Sequence, residues 1–213
     1  MVGRSAVVMM VLTIVVVAAV LASAEPSTTP PSQATADVRP TVTADPTPRF
    51  GGALEDCSTR SEALFPGAFT DPTNLVVGPL VLVGGSYTPA RTVHEYGGNK
   101  FPLLVKAGHI VTARLGRGAR GAGLAYGPLP EGRQTRLGDT YRSVTFAACR
   151  PGKASRSYST NGPSGSYADA VNVTFWSGFV LSRTPACVPL AVYVDGAARP
   201  IRAGLQLGRR CGH

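Results

Sequence analysis

The chain has 213 residues, of which 21 are basic and 12 acidic, for a formal charge of +9. With its first fifty residues set aside, about 160 remain, the size of one domain with one core. Four cysteines without a Cys-x-x-Cys pair, and three histidines of which only His213 lies near a cysteine, argue against a zinc site.

A lone Arg4 precedes an uncharged run from Ser5 to Ala24. As a helix rising about 1.5 Å per residue, this run reaches roughly 30 Å, enough to cross a bilayer core. Ala22-Ser23-Ala24 also supplies the small residues that precede a signal-peptidase cut. Residues 1–24 therefore read as a signal peptide or an N-terminal membrane anchor, an N-terminal hydrophobic helix in either case, and both readings put residues 25–213 outside the cytoplasm.

Residues 25–50 form a Pro/Thr-rich linker with Pro26, Pro30, Pro31, Pro40, Pro46 and Pro48. Up to Arg49 it has no aromatic residue, so it cannot bury enough apolar area to offset its ordering entropy and is expected to be disordered. At about 3.1 Å per residue it spans up to roughly 80 Å, a length suited to crossing wall material.

Residues 51–213 read as a disulfide-stabilised all-β domain. Leu75 to Val83 and Phe101 to Val105 are apolar runs of strand length. His109 to Leu115 alternates, with Val111, Ala113 and Leu115 on one face, and Arg142 to Cys149 repeats the pattern with Val144, Phe146 and Ala148 inward and Ser143 and Thr145 outward. Ala170 to Leu181 is a further strand, with Gly178 placed for a bulge. Val188 to Val194 and Arg199 to Leu207 flank Asp195-Gly196, a strong hairpin signal. Seven or more short strands, and no ten-residue helical period free of Gly or Pro, predict an antiparallel β-sandwich, immunoglobulin-like or jelly-roll-like.

Gly116 to Thr140 and Arg150 to Asp169 read as long polar loops, with Tyr126, Tyr141, Tyr158 and Tyr167 in or beside them. Loops of this kind on a rigid scaffold carry binding residues. Charge concentrates in the same half: residues 101–213 hold fifteen basic and four acidic side chains, against five and eight in residues 25–100. Such an excess attracts polyanions. Arg114, Arg117, Arg120, Arg133 and Arg136 are the candidate anion-binding set. Outside a cell the partner is an anionic lipid or cell-wall polymer rather than nucleic acid.

Cys57, Cys149, Cys187 and Cys211 form an even set suited to two disulfides. The Asp195-Gly196 hairpin brings Cys187 and Cys211 to one open end. If Ala170 to Leu181 pairs antiparallel with both neighbouring strands, Cys149 falls at the opposite end and is left for Cys57.

Gly116-Arg117-Gly118-Ala119-Arg120-Gly121 matches the dinucleotide pattern, but that pattern works only when a helix N-terminus follows. Gly123, Gly127 and Pro128 leave no room for one, so the segment reads as an arginine-rich turn. No serine sits in a nucleophile elbow. His94 and His109 read as structural, and the single tryptophan, Trp176, reads as packed under a loop rather than as a sugar platform. No cofactor and no catalytic or metal residue is assigned.

Val77-Gly78-Pro79-Leu80, Phe101-Pro102-Leu103-Leu104-Val105, Val144-Thr145-Phe146-Ala147-Ala148-Cys149, Thr174-Phe175-Trp176-Ser177-Gly178, Cys187-Val188-Pro189-Leu190 and Leu207-Gly208-Arg209-Arg210-Cys211 together resemble uncharacterised exported β-domain proteins of actinobacteria, over roughly residues 57–211. The resemblance implies an exported or envelope-anchored β-domain and carries no activity with it. The expectation is a non-enzymatic binding domain of the cell envelope or a secreted one, with an extracellular hydrolase as the alternative.

Overall fold

The computed structural model describes residues 46–127, 135–151, 157–160 and 171–212. The leader, most of the linker, Arg133, Tyr167 and the side chain of Tyr158 lie outside the described residues. Among those described, no helix is long and apolar enough to cross a membrane.

The protein is mostly β. In chain order the strands are β1 (Ala53–Glu55), β2 (Leu64–Pro66), β3 (Leu75–Val77) and β4 (Leu80–Leu82), followed by the one α-helix among the described residues, α1 (Ala90–Tyr96). Then come β5 (Gly98–Lys100), β6 (Leu103–Lys106), β7 (Ile110–Leu115), β8 (Ala122–Ala125) and β9 (Ser143–Ala147). The chain closes with β10 (Ser157–Thr160), β11 (Val171–Trp176), β12 (Phe179–Ser182), β13 (Ala186–Val194) and β14 (Ile201–Leu207). The strands form a five-stranded sheet, β1-β9-β7-β13-β14, a six-stranded sheet, β2-β10-β11-β6-β4-β3, and a three-stranded sheet, β5-β12-β8.

Several sequence expectations are corrected here. The sheets are not wholly antiparallel, because β1 runs parallel to β9 and β2 parallel to β10. The run Leu75 to Val83 is two strands, since Gly78 at φ 60° begins a two-residue turn that pairs Val77 with Leu80. The two polar loops each contain a strand, β8 and β10. Ala170 to Leu181 is also two strands in different sheets, with β11 beside β6 and β12 beside β5 and β8. There the chain changes sheets at Ser177-Gly178 rather than bulging.

The period-two pattern explains the core. Val111, Ala113 and Leu115 of β7, Val144 and Phe146 of β9, and Val188, Leu190 and Val192 of β13 share one apolar cluster with Leu80, Leu103, Val105 and Trp176 of the six-stranded sheet. The alternate residues of that second sheet, Val81, Leu104, Val173 and Phe175, form a separate cluster roofed by Ala63, Phe65, Ala68 and Phe69. Strands β4 and β6 of the six-stranded sheet are thus buried on both faces, which is why they are unbroken apolar runs. Each fully buried Leu, Val or Phe contributes about 1.5–3 kcal/mol.

Two disulfides pin this framework, Cys57–Cys149 and Cys187–Cys211. This is the expected pairing, but its strand-order premise fails: β11 touches neither β9 nor β13 in any sheet. β9 and β13 instead flank β7, antiparallel to both, and so run parallel to each other. Cys149 follows the end of β9 while Cys187 begins β13, which puts the two at opposite ends of the sheet. Bonds of this kind form and persist in an oxidising, extracytoplasmic setting.

Candidate functional site

The outer face of the five-stranded sheet gathers cations. Register aligns Arg114 of β7 with Ala191 of β13, and Ala191 with Arg202 of β14. Two strand spacings separate the arginine backbones, about 10 Å. Ala191 between them is too small to screen one from the other. Both arginines are exposed, and among the described residues neither has a carboxylate within ion-pair distance, the Asp195 carboxylate lying against His109 instead.

A third cation comes from Pro48 to Gly52, which lies across the same face although the sequence places most of it in the linker. The Arg49 amide donates to the Thr145 hydroxyl at 3.3 Å, and the Ser143 hydroxyl donates to the Arg49 carbonyl at 3.3 Å. Ser143 and Thr145 point outward as their alternation predicts, yet are only 2% and 1% exposed because this strap covers them. The guanidinium of Arg49 donates to the Ala197 carbonyl at 2.8 Å. It also lies 4.9 Å from the ring centre of Tyr193, which stacks at 5.0 Å on Phe50.

Phe50 couples the strap to the arginine row. Its ring centre is 4.4 Å from the Arg114 guanidinium and 5.2 Å from that of Arg49. Cation–π contacts at exposed sites contribute about 0.5–1 kcal/mol each. They hold Phe50 at φ 68°, a conformation that costs a bulky residue about 1–2 kcal/mol. Beside the stack is a recess of about 360 Å³ lined by Arg49, Thr112, Thr145 and Tyr193, with Thr47, Pro48, Ile110 and Gly196 at its edges. The face therefore offers guanidinium groups, two of them held against aromatic rings, beside a small recess, a set suited to phosphate or carboxylate oxygens.

The candidate set is only partly assembled here. Arg117 and Arg120 are exposed in the turn from β7 to β8. Arg136 is exposed next to a single helical turn, its amide bonded to the Asp139 carboxylate at 2.9 Å. Arg133 lies outside the described residues. Arg142, absent from the candidate set, organises the turn by donating to the carbonyls of Gly116, Ala119 and Ala122. Those carbonyls converge on a cation, while the amides of Ala119 and Ala122 are spent within the turn. The glycine-rich motif thus turns carbonyls toward a cation and leads into strand β8, not into the helix N-terminus that a phosphate cradle needs.

The other residues weighed from sequence have structural roles. The Asp195 carboxylate sits 2.7 Å from His109 Nδ1 and accepts the Ile110 amide at 2.9 Å, locking the hairpin turn to the start of β7. His94 is exposed on α1. Trp176 is 1% exposed, and its indole N–H donates to the Asp56 carbonyl at 3.1 Å beneath the Cys57 loop. Tyr126 is buried with its hydroxyl on the Phe101 carbonyl at 2.6 Å, and burial raises its pKa. Glu55 is buried too; desolvation raises its pKa, partly offset by a hydrogen bond from Thr59. Among the described residues no three His, Cys, Asp or Glu side chains gather to hold a metal.

No family model matches this chain, and neither a curated protein nor a solved structure is significantly similar to it.

The arginine row has a signal in the sequence. Given the Asp195-Gly196 hairpin, period-two alternation places Arg202 on the outward side of β14, and the same alternation places Arg114 on that side of β7. Arg49 and Phe50 had no such signal, because a strap crossing a sheet has no period.

Proposed function

We propose that this protein is an exported, non-enzymatic β-sandwich domain of the cell envelope, or a secreted one, that binds an anionic envelope component through the outer face of its five-stranded sheet. The aligned pair Arg114 and Arg202, without a carboxylate partner among the described residues, carries the reading, with Arg49 and the tilted Phe50–Tyr193 ring pair beside it. A core cluster shared by the two larger sheets supports a sandwich. Export is supported by the two disulfides, by the leader, and by the resemblance to exported actinobacterial β-domains. Wall polymer and anionic lipid head groups both present rows of negative charge, and the shared chemistry is a chain or surface of anionic oxygens.

Several exposed charges attract such a surface through their summed field, which salt screens over about 8 Å at physiological ionic strength. Retention on wall polymer and on phosphatidylglycerol vesicles is expected to fall steeply between low and physiological salt. Arg114→Ala with Arg202→Ala is expected to weaken it severalfold more than Arg117→Ala with Arg120→Ala, while the lost Arg114–Phe50 contact lowers the melting temperature by no more than about 4 °C. Equal retention of both double variants at low salt would dismiss the face as ordinary solvated surface.

A further inference from the structure

We infer that a groove beside the three-stranded sheet is a second binding site, for a single-chain amphiphile whose alkyl tail ends in a carboxylate or phosphate. Antiparallel register sets Lys100 opposite Phe179 and Gly98 opposite Leu181, so these four share one face of β5 and β12. Tyr96, the last residue of α1, adds a second ring. The groove has a volume of about 460 Å³, within the range of small-molecule sites. Its two rings stand in water, Tyr96 63% and Phe179 37% exposed.

The lining decides the ligand class. Lys100 is the one charged group among the described lining residues. Asn99 already spends an amide hydrogen on the Thr88 hydroxyl at 3.1 Å. Glu95, the residue before Tyr96 in α1, does not line the groove. The remaining polar lining is Asn99, the Thr135 hydroxyl and the Tyr96 phenol, too few partners for the several hydroxyls of a sugar ring stripped of their water. An alkyl chain has no such loss and gains from every methylene covered by Phe179, Leu181 and Tyr96. The anionic head belongs at the Lys100 ammonium. This groove shares no residue with the arginine face.

Calorimetric titration of the oxidised full-length chain with decanoate, octanoate and decanol tests the assignment. Decanoate is expected to bind saturably and octanoate about tenfold more weakly, the loss of two buried methylenes. Lys100→Ala should weaken decanoate at least fivefold and leave decanol unchanged, Tyr96→Ala should weaken both, and Arg114→Ala with Arg202→Ala should bind as wild type. Melting curves check that each variant folds. The proposal is overturned if saturable binding is absent, if it survives both groove variants, or if it is lost only in the arginine variant. Loss of decanol in Lys100→Ala equal to that of decanoate would overturn the head-group assignment.

Discussion

Gly178 lies flat against the ring of Tyr126: a Cβ on residue 178 would stand 2.2 Å from Cδ1. The ring cannot retreat, because Phe146 meets it edge-on at 5.3 Å and its hydroxyl is fixed on the Phe101 carbonyl. The Phe101 amide in turn donates to the Gly178 carbonyl at 2.9 Å, closing the junction where the chain leaves β11 for β12.

Gly178→Ala is therefore expected to cost about 3 kcal/mol, the upper end of overpacking penalties. Urea unfolding should show a lower midpoint at an unchanged slope. A loss under about 0.5 kcal/mol would mean that the junction is not packed as described.

Glu55 gives stability a pH dependence of known sign. Its folded pKa is raised above the ordinary 4.5, chiefly by desolvation, so folding favours the protonated form. The ionisation penalty is absent below pH 4.5, grows as pH rises through the window above it, and is complete once the folded carboxyl has ionised. Melting temperatures of Glu55→Gln and wild type should coincide near pH 4 and separate above it, with the variant more stable at pH 7. Asp56 and Asp71 are shifted the opposite way, mainly by the hydroxyls of Ser58 and Thr73, and act only as pH falls below 3.8. Parallel curves from pH 4 to 7 would remove Glu55 as the cause.

Arg142 should behave as the tie of the β7–β8 turn. Replacing it by Ala removes the guanidinium from three carbonyls, of which those of Gly116 and Ala119 keep an amide donor, at a cost of about 1–2 kcal/mol. Amide exchange at Ala119 and Ala122, whose N–H groups bond within the turn, should accelerate by more than the global loss of stability explains. Lys should restore little, because a single ammonium cannot span the fork that a guanidinium does. Full rescue by Lys would show that charge alone matters.

How much of this was legible follows from period. β7, β9, β13 and β14 alternate because one face meets the core, and their inward residues read off the sequence, except that Ile201, on the inward phase of β14, is 45% exposed at the strand's start. β4 and β6 are buried on both faces, so they show only an apolar run, and the turn inside the first run was marked by Gly78-Pro79 alone. β8 escaped notice because Ala122 and Gly123 are small and sit in a polar context; what makes it a strand is pairing with β12. For the site, Arg114 was legible as a basic residue on an outward phase, whereas its partners Arg202 and Arg49 depend on register and on a crossing strap. Those are relations between distant segments, which no local pattern encodes.

The disulfides differ in what they close. Cys57 and Cys149 are separated by 92 residues, Cys187 and Cys211 by 24. By loop-closure entropy the first contributes about 4.6 kcal/mol and the second about 3.4 kcal/mol. Cys57→Ser with Cys149→Ser should thus destabilise by about 1 kcal/mol more than Cys187→Ser with Cys211→Ser. The first pair also exposes the Trp176 pocket, so its tryptophan emission should shift red while that of the second stays put. The reverse ranking in chemical denaturation would contradict this account.

The two bonds are also consecutive along the chain, neither crossing nor enclosing the other. A polypeptide threaded N-terminus first into an oxidising space presents its thiols one by one, and joining each to the next to arrive yields the native bonds. Maturation then asks only for an oxidase, with no enzyme to reshuffle mispaired sulfurs. Production in a host periplasm should succeed without added isomerase.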